Sequence, residues 1–172
     1  MNKNSTATYI GLNSFISFLQ ELQILKALKF QFGRPIAITF LRRNSKAGTV
    51  ELIHHWIAKY ILEACLVEYK LAHIPPSQMA AAALLLSLKL QDPLSKFEKL
   101  WNKNLKFYSG YDINQLKSTI QLMASVMKDI EKSKYNAAYV KYNSSSNQKM
   151  ASTITSDPGK MQILESFSQG SF

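Results

Sequence analysis

The chain has 172 residues, 47% of them hydrophobic, which suits one compact domain with a sizeable buried core and is short for two. Six glycines and five prolines are too few for the many turns of a sandwich or barrel, so the fold class is all-α. The net charge of +10 points to an acidic partner (nucleic acid, phosphoprotein or acidic protein surface), but scattered lysines with no block of like charge speak against a nucleic-acid arm.

The single thiol, Cys65, cannot close an internal disulfide, and its neighbours Ala64 and Leu66 mark it as a small buried hydrophobe. The start Met1-Asn2-Lys3-Asn4-Ser5 is polar and lacks a signal-peptide layout. The longest apolar run, Met79 to Leu86, is too short to span a bilayer. These features predict a soluble protein of the nucleus and cytoplasm with no membrane partner.

Ser14 to Phe30 reads as an amphipathic lead-in helix, with Phe15, Phe18, Leu19, Leu22, Leu25 and Leu28 three and four apart. Gly33 and Pro35 break it, and a short helix follows from Pro35 to about Arg43. Asn44 to Gly48 reads as a loop. Thr49 is then the expected N-cap of a long helix to about Tyr69, carrying Leu52, Ile53, Trp56, Ile57, Tyr60, Ile61, Ala64 and Val67. His73-Ile74-Pro75-Pro76 breaks the chain again. Ser77 is the expected N-cap of a helix to Leu90 that is apolar nearly all round, so other helices must surround it.

Asp92-Pro93 ends that helix. A shorter helical segment surrounds Phe97, Leu100, Trp101 and Leu105, and Ser109-Gly110-Tyr111 is a turn. Asp112 with Gln115 fits a capping box for a helix to about Lys132 that carries Leu116, Ile120, Met123 and Met127 on one face. A last helix covers Tyr135 to about Tyr142. The serine-rich remainder reads as loosely structured, with Ile163, Leu164 and Phe167 able to form a short docking helix. The expected plan is a lead-in segment and helix over 1–31, a bundle of roughly five helices around a central apolar helix over 32–152, and a loosely ordered tail over 153–172.

No phosphate-cradling glycine loop, nucleophile elbow or flanked acidic pair occurs. Three histidines and one cysteine lack zinc-ligand spacing. The expectation is therefore no enzyme, no catalytic residue, no metal and no cofactor. One polar constellation stands out. His55 and Lys59 share a helix face, and Arg42 and Arg43 lie near the end of the preceding helix. If the two helices pack antiparallel, one arginine meets His55 and Lys59 and forms an anion pocket, because the guanidinium fork matches phosphate geometry. A solvated basic face is the plainer alternative. Arg42-Arg43-Asn44-Ser45 also has the form of a basophilic kinase site.

Several segments resemble a known family in order and spacing. Leu25-Lys26-Ala27-Leu28-Lys29-Phe30-Gln31-Phe32-Gly33-Arg34-Pro35, followed by Phe40-Leu41-Arg42-Arg43-Asn44-Ser45-Lys46, resembles the entry to the second cyclin fold of B-type mitotic cyclins. Ala58-Lys59-Tyr60 with Glu63 and Glu68-Tyr69 resembles its second helix. His73-Ile74-Pro75-Pro76-Ser77-Gln78-Met79-Ala80-Ala81 resembles the start of its central helix, and Tyr108-Ser109-Gly110-Tyr111 and Lys141-Tyr142 match later landmarks. The resemblance covers about Leu22 to Ser152 and implies a five-helix orthogonal cyclin bundle.

It further implies a regulatory subunit, or fragment, that modulates a cyclin-dependent kinase at entry to mitosis. A phosphate pocket credited to the family maps onto Arg42, His55 and Lys59, implying a phosphorylated regulatory protein as a partner. Met1 to Gln20 does not resemble the family's first fold, which makes most kinase contacts, so kinase binding is expected to be weak or absent without it. The alternative is a stand-alone cyclin-fold adaptor without kinase activation, like those of general transcription factors of the IIB type. There the ligand would be a phosphoprotein or, against the absence of a clustered basic stripe, nucleic acid.

Overall fold

The computed structural model describes the backbone of residues 4–31 and 33–172 and the side chains of residues 15–31 and 33–172. The polar start Met1-Asn2-Lys3 and Phe32, the expected domain boundary, lie outside the described residues. Among the described residues there are ten α-helices and no strand. The chain forms two compact units, Met1–Arg34 and Pro35–Phe172.

The first unit holds α1 (Asn4–Ala27). It begins at Asn4 rather than Ser14 and stops before Phe30, because Lys29 and Phe30 take φ of 50° and 55°, a left-handed conformation no helix continues. Phe15, Phe18 and Leu28 of the expected stripe are exposed.

The second unit is built on its third helix. After α2 (Ala37–Ala47) and α3 (Leu52–Cys65) comes α4 (Pro76–Gln91). Every residue from Ala80 to Leu86 is 0% exposed. Alanine and leucine are strong helix formers, and each fully buried leucine contributes about 1.5–3 kcal/mol. The small alanines admit α2, α3 and α7 (Ile113–Asp129) against α4. Short helices α5 (Phe97–Leu100) and α6 (Lys103–Ser109) follow α4, and α8 (Ala137–Tyr142) follows α7. The Asp112–Gln115 capping box forms, Gln115 Oε1 accepting the Asp112 N–H at 2.8 Å.

Four local expectations are corrected. The loop expected at Asn44–Gly48 is helix: α2 continues to Ala47, with Asn44 only 1% exposed, and Gly48 ends it. Thr49 does not cap α3. Its φ is 50° and its Oγ1 donates to the Gly48 carbonyl at 2.8 Å, so α3 starts behind Glu51 and ends at Cys65. Leu52, Trp56 and Val67 of the expected apolar stripe are exposed. Ser77 does not cap α4 either. Pro76 already occupies the first turn, the Pro75 carbonyl accepts the Met79 N–H at 3.0 Å, and the Ser77 hydroxyl bonds Tyr111 Oη at 2.9 Å.

The tail is the fourth. Residues 153–172, expected to be loose, contain the end of α9 (Met150–Thr155) and all of α10 (Pro158–Ser168). Asp157 accepts the Gly159 and Lys160 N–H groups at 2.9 and 3.3 Å, and Pro158 supplies the preset first turn. Ile154, Leu164 and Phe167 are buried, and α10 packs against α7. Serine content misdirected the reading. The few apolar residues fall at helical spacing and suffice to dock the segment.

Candidate functional site

The extension of α2 through Ala47 places Arg42 and Ser45 three residues apart on one helical face. His55 and Lys59 stand one turn apart on α3, which packs against α2. Ser45 Oγ and His55 Nδ1 are 2.9 Å apart. Burial lowers the His55 pKa below its ordinary 6.5, and the Arg42 and Lys59 charges lower it further. His55 is therefore neutral at pH 7. In the tautomer whose Nδ1 accepts from Ser45, the proton sits on Nε2 and can be donated to a ligand.

The structure discriminates between the two arginines. Arg43 is turned away: Nη2 donates to the Tyr108 carbonyl at 2.8 Å, and the guanidinium lies 5.4 Å from the Phe40 ring centroid. Arg42 is the one whose charge reaches His55. Lys59 Nζ rests 5.0 Å from the Trp56 ring centroid, an arrangement that holds an ammonium without neutralising it.

The carboxylate beside Lys59 on α3 is engaged elsewhere. Glu63 lies one turn beyond Lys59, but Oε2 takes Lys141 Nζ at 2.6 Å and Oε1 accepts the Tyr142 hydroxyl at 2.7 Å. Partial burial would raise the Glu63 carboxyl, yet these two hydrogen bonds and the Lys141 and Lys59 charges outweigh it and hold it below the usual range. No salt bridge among the described residues involves Arg42, His55 or Lys59.

What these helices belong to follows from comparison with known proteins. Residues 35–157 match the family model described as "Cyclin, C-terminal domain". The chain belongs to the cyclin family. This cyclin domain is 42% identical over 132 residues to the G2/mitotic-specific cyclin-B of Patella vulgata, covering 77% of this chain and 31% of that relative. It is 44% identical over 131 residues to the G2/mitotic-specific cyclin-B of Spisula solidissima, covering 76% of this chain and 29% of that relative. With the G2/mitotic-specific cyclin-B2 of Macaca fascicularis it shares 41% over 142 residues, or 80% of this chain and 34% of that relative. The chain thus spans about a third of the length of these curated relatives.

The match is to the C-terminal cyclin fold of B-type cyclins, and the all-helical bundle is consistent with it. Among the described residues of the cyclin domain, no group of His, Cys, Asp and Glu is placed to hold a metal ion. No helix among them is long and apolar enough to cross a membrane. Two members of the cluster escaped the sequence reading as such. Ser45 was hidden because the helix was expected to end at Arg43, although its three-residue spacing from Arg42 was visible. Trp56 was assigned to the core stripe, although it stands three residues before Lys59.

Proposed function

We propose that this cyclin domain is a non-catalytic regulatory module that binds a phosphorylated regulatory protein through Arg42, His55 and Lys59, and works with a cyclin-dependent kinase at entry to mitosis. One observation carries the phosphate reading. Three basic groups converge from two helices while the nearby carboxylate, Glu63, is held by Lys141 and Tyr142. A phosphate offers acceptors to the guanidinium, the imidazole Nε2–H and the ammonium together. The names of the relatives, G2/mitotic-specific cyclins, support the mitotic role.

In this account the domain breaks and forms no bonds. It shifts its kinase partner by binding one kinase conformation better than another, and delivers phosphorylated proteins to that assembly. Nucleus and cytoplasm are where such a module would act.

The test is fluorescence anisotropy with a phosphoserine peptide and its unphosphorylated twin. A charged hydrogen bond contributes about 1.5–3 kcal/mol, so Arg42→Ala or Lys59→Ala should weaken phosphopeptide binding by roughly tenfold or more with an unchanged melting temperature. Equal affinity of wild type and both variants overturns the reading. For the kinase, a pull-down compares this chain alone with the same chain placed behind a first cyclin fold. Retention is expected only for the longer protein, and equal retention contradicts that expectation.

A further inference from the structure

Ser45 stands inside the basic cluster. Arg42 precedes it by one helical turn, its Oγ is 2.9 Å from His55 Nδ1, and the side chain is half-buried. It also closes Arg42-Arg43-Asn44-Ser45, a hydroxyl behind two arginines at the spacing that arginine-directed protein kinases accept. We propose that Ser45 is a phosphorylation site, and that its phosphate turns into the Arg42, His55 and Lys59 cluster and fills it from within. The second half rests on the reading of that cluster as a phosphate site.

The transfer uses a nucleoside triphosphate. Ser45 Oγ bonds to the γ-phosphorus as the bond from that phosphorus to the β–γ bridging oxygen breaks. The hydroxyl proton passes to the kinase's base, and the nucleoside diphosphate leaves. The product carries a charge of about −1.5 to −2 at pH 7 and three acceptor oxygens. Because Oγ already touches His55, the phosphorus stands one bond from that contact, with Arg42 one turn back on α2 and Lys59 one turn on along α3.

Two local features bear on the cost and the access. Ser45 lies in the last turn of α2, where the helix dipole disfavours an anion, and the three cationic or donating side chains offset this. A kinase must reach the hydroxyl, so the last turn has to open. That turn is followed by Gly48 and by Thr49 at φ 50°, and Asn44 Oδ1 is buried without a hydrogen-bond partner. That oxygen therefore contributes nothing to holding the turn closed, and local opening of a terminal turn is the least costly kind.

The consequence is competition. A tethered phosphate acts at an effective concentration of about millimolar or more, so a chain phosphorylated at Ser45 should reject phosphorylated partners. The experiment treats the full chain with an arginine-directed kinase and magnesium ATP, and locates the phosphate by fragment mass spectrometry with Ser45→Ala as control. It then measures binding of a phosphoserine peptide before phosphorylation, after it, and after phosphatase.

The expected result is one phosphate on Ser45, peptide binding weakened by roughly tenfold or more, recovery after phosphatase, and displaced His55 imidazole resonances in the phosphorylated chain. No phosphate on Ser45 overturns the site. A phosphorylated chain that binds the peptide as before overturns self-occupancy. If the unmodified chain binds no phosphopeptide, the partner-binding role fails by itself. The His55 resonances then decide the Ser45 contact, and unmoved resonances overturn it.

Discussion

Replacing Glu63 by alanine should destabilise the bundle more than replacing its partner Tyr142 by phenylalanine. Glu63 on α3 holds the Tyr142 hydroxyl at 2.7 Å and Lys141 at 2.6 Å, both on α8. Tyr142 is 1% exposed, and its ring centroid lies 5.0 Å from that of Tyr60 in a tilted pair. Glu63→Ala leaves that buried hydroxyl without its partner, at about 1–3 kcal/mol. It also loses the Lys141 ion pair, whose lysine side chain is 55% exposed, which adds only about 0.2–1 kcal/mol. Together the loss is about 1–4 kcal/mol, or roughly 2–16 °C in melting temperature for a chain of this size. Tyr142→Phe removes the hydroxyl and leaves Glu63 on Lys141, for about 0.5–1.5 kcal/mol. Urea unfolding of wild type, both single variants and the double variant measures the coupling, expected near ~1 kcal/mol. A coupling indistinguishable from zero, or a Glu63→Ala variant as stable as Tyr142→Phe, refutes the reasoning. The depressed Glu63 pKa fixes the acid behaviour. This stabilisation is present above the carboxyl's unfolded pKa and is lost as pH falls through the lower folded one.

Phosphopeptide binding should take up a proton. The His55 pKa lies below 6.5 in the free domain, and a bound dianion raises it, so affinity should grow as pH falls from about 8 to about 7, above the phosphate's own pKa of about 6, by at most about tenfold per unit. His55→Asn should flatten that slope, and a wild-type affinity flat over this range contradicts the linkage. Tyr60 is fully buried, and its hydroxyl has no partner among the described residues. Tyr60→Phe should therefore leave urea stability unchanged or raise it by up to about 1 kcal/mol, and a loss of more than that would reveal a missed partner. Cys65 is 2% exposed, and burial with the Glu68 charge pushes its thiol up to about 12. Maleimide labelling should be negligible until the domain unfolds, and rapid labelling in buffer would contradict its place in the core.

The central helix was legible because α4 is apolar nearly all round, a pattern that requires other helices to surround it. The basic cluster was half legible. The His55–Lys59 spacing needs only a helix, and Arg42 needs only that helix's neighbour. The residues alone left either arginine open and only the family resemblance singled out Arg42, since nothing local announces the Tyr108 carbonyl that takes Arg43. Ser45 was missed through a helix end. Asn44 and Ser45 carry low helix propensity, but the packing of α2 against α4 and α6 overrides it. Ser77 shows the reverse error: a residue ideal for capping serves a long-range bond to Tyr111 because prolines already build the first turn. The C-terminal helices failed for a compositional reason. Serines lowered the mean hydropathy, while Leu164 and Phe167 kept the three-residue spacing that docks α10 on α7.

The most direct test of the phosphate account is a side-chain nitrogen NMR titration of the histidines with a phosphoserine peptide. The account predicts that His55 shifts and its pKa rises as peptide is added, while His54 and His73 stay still and the unphosphorylated peptide does nothing. An unmoved His55, or the same shift from both peptides, would contradict it.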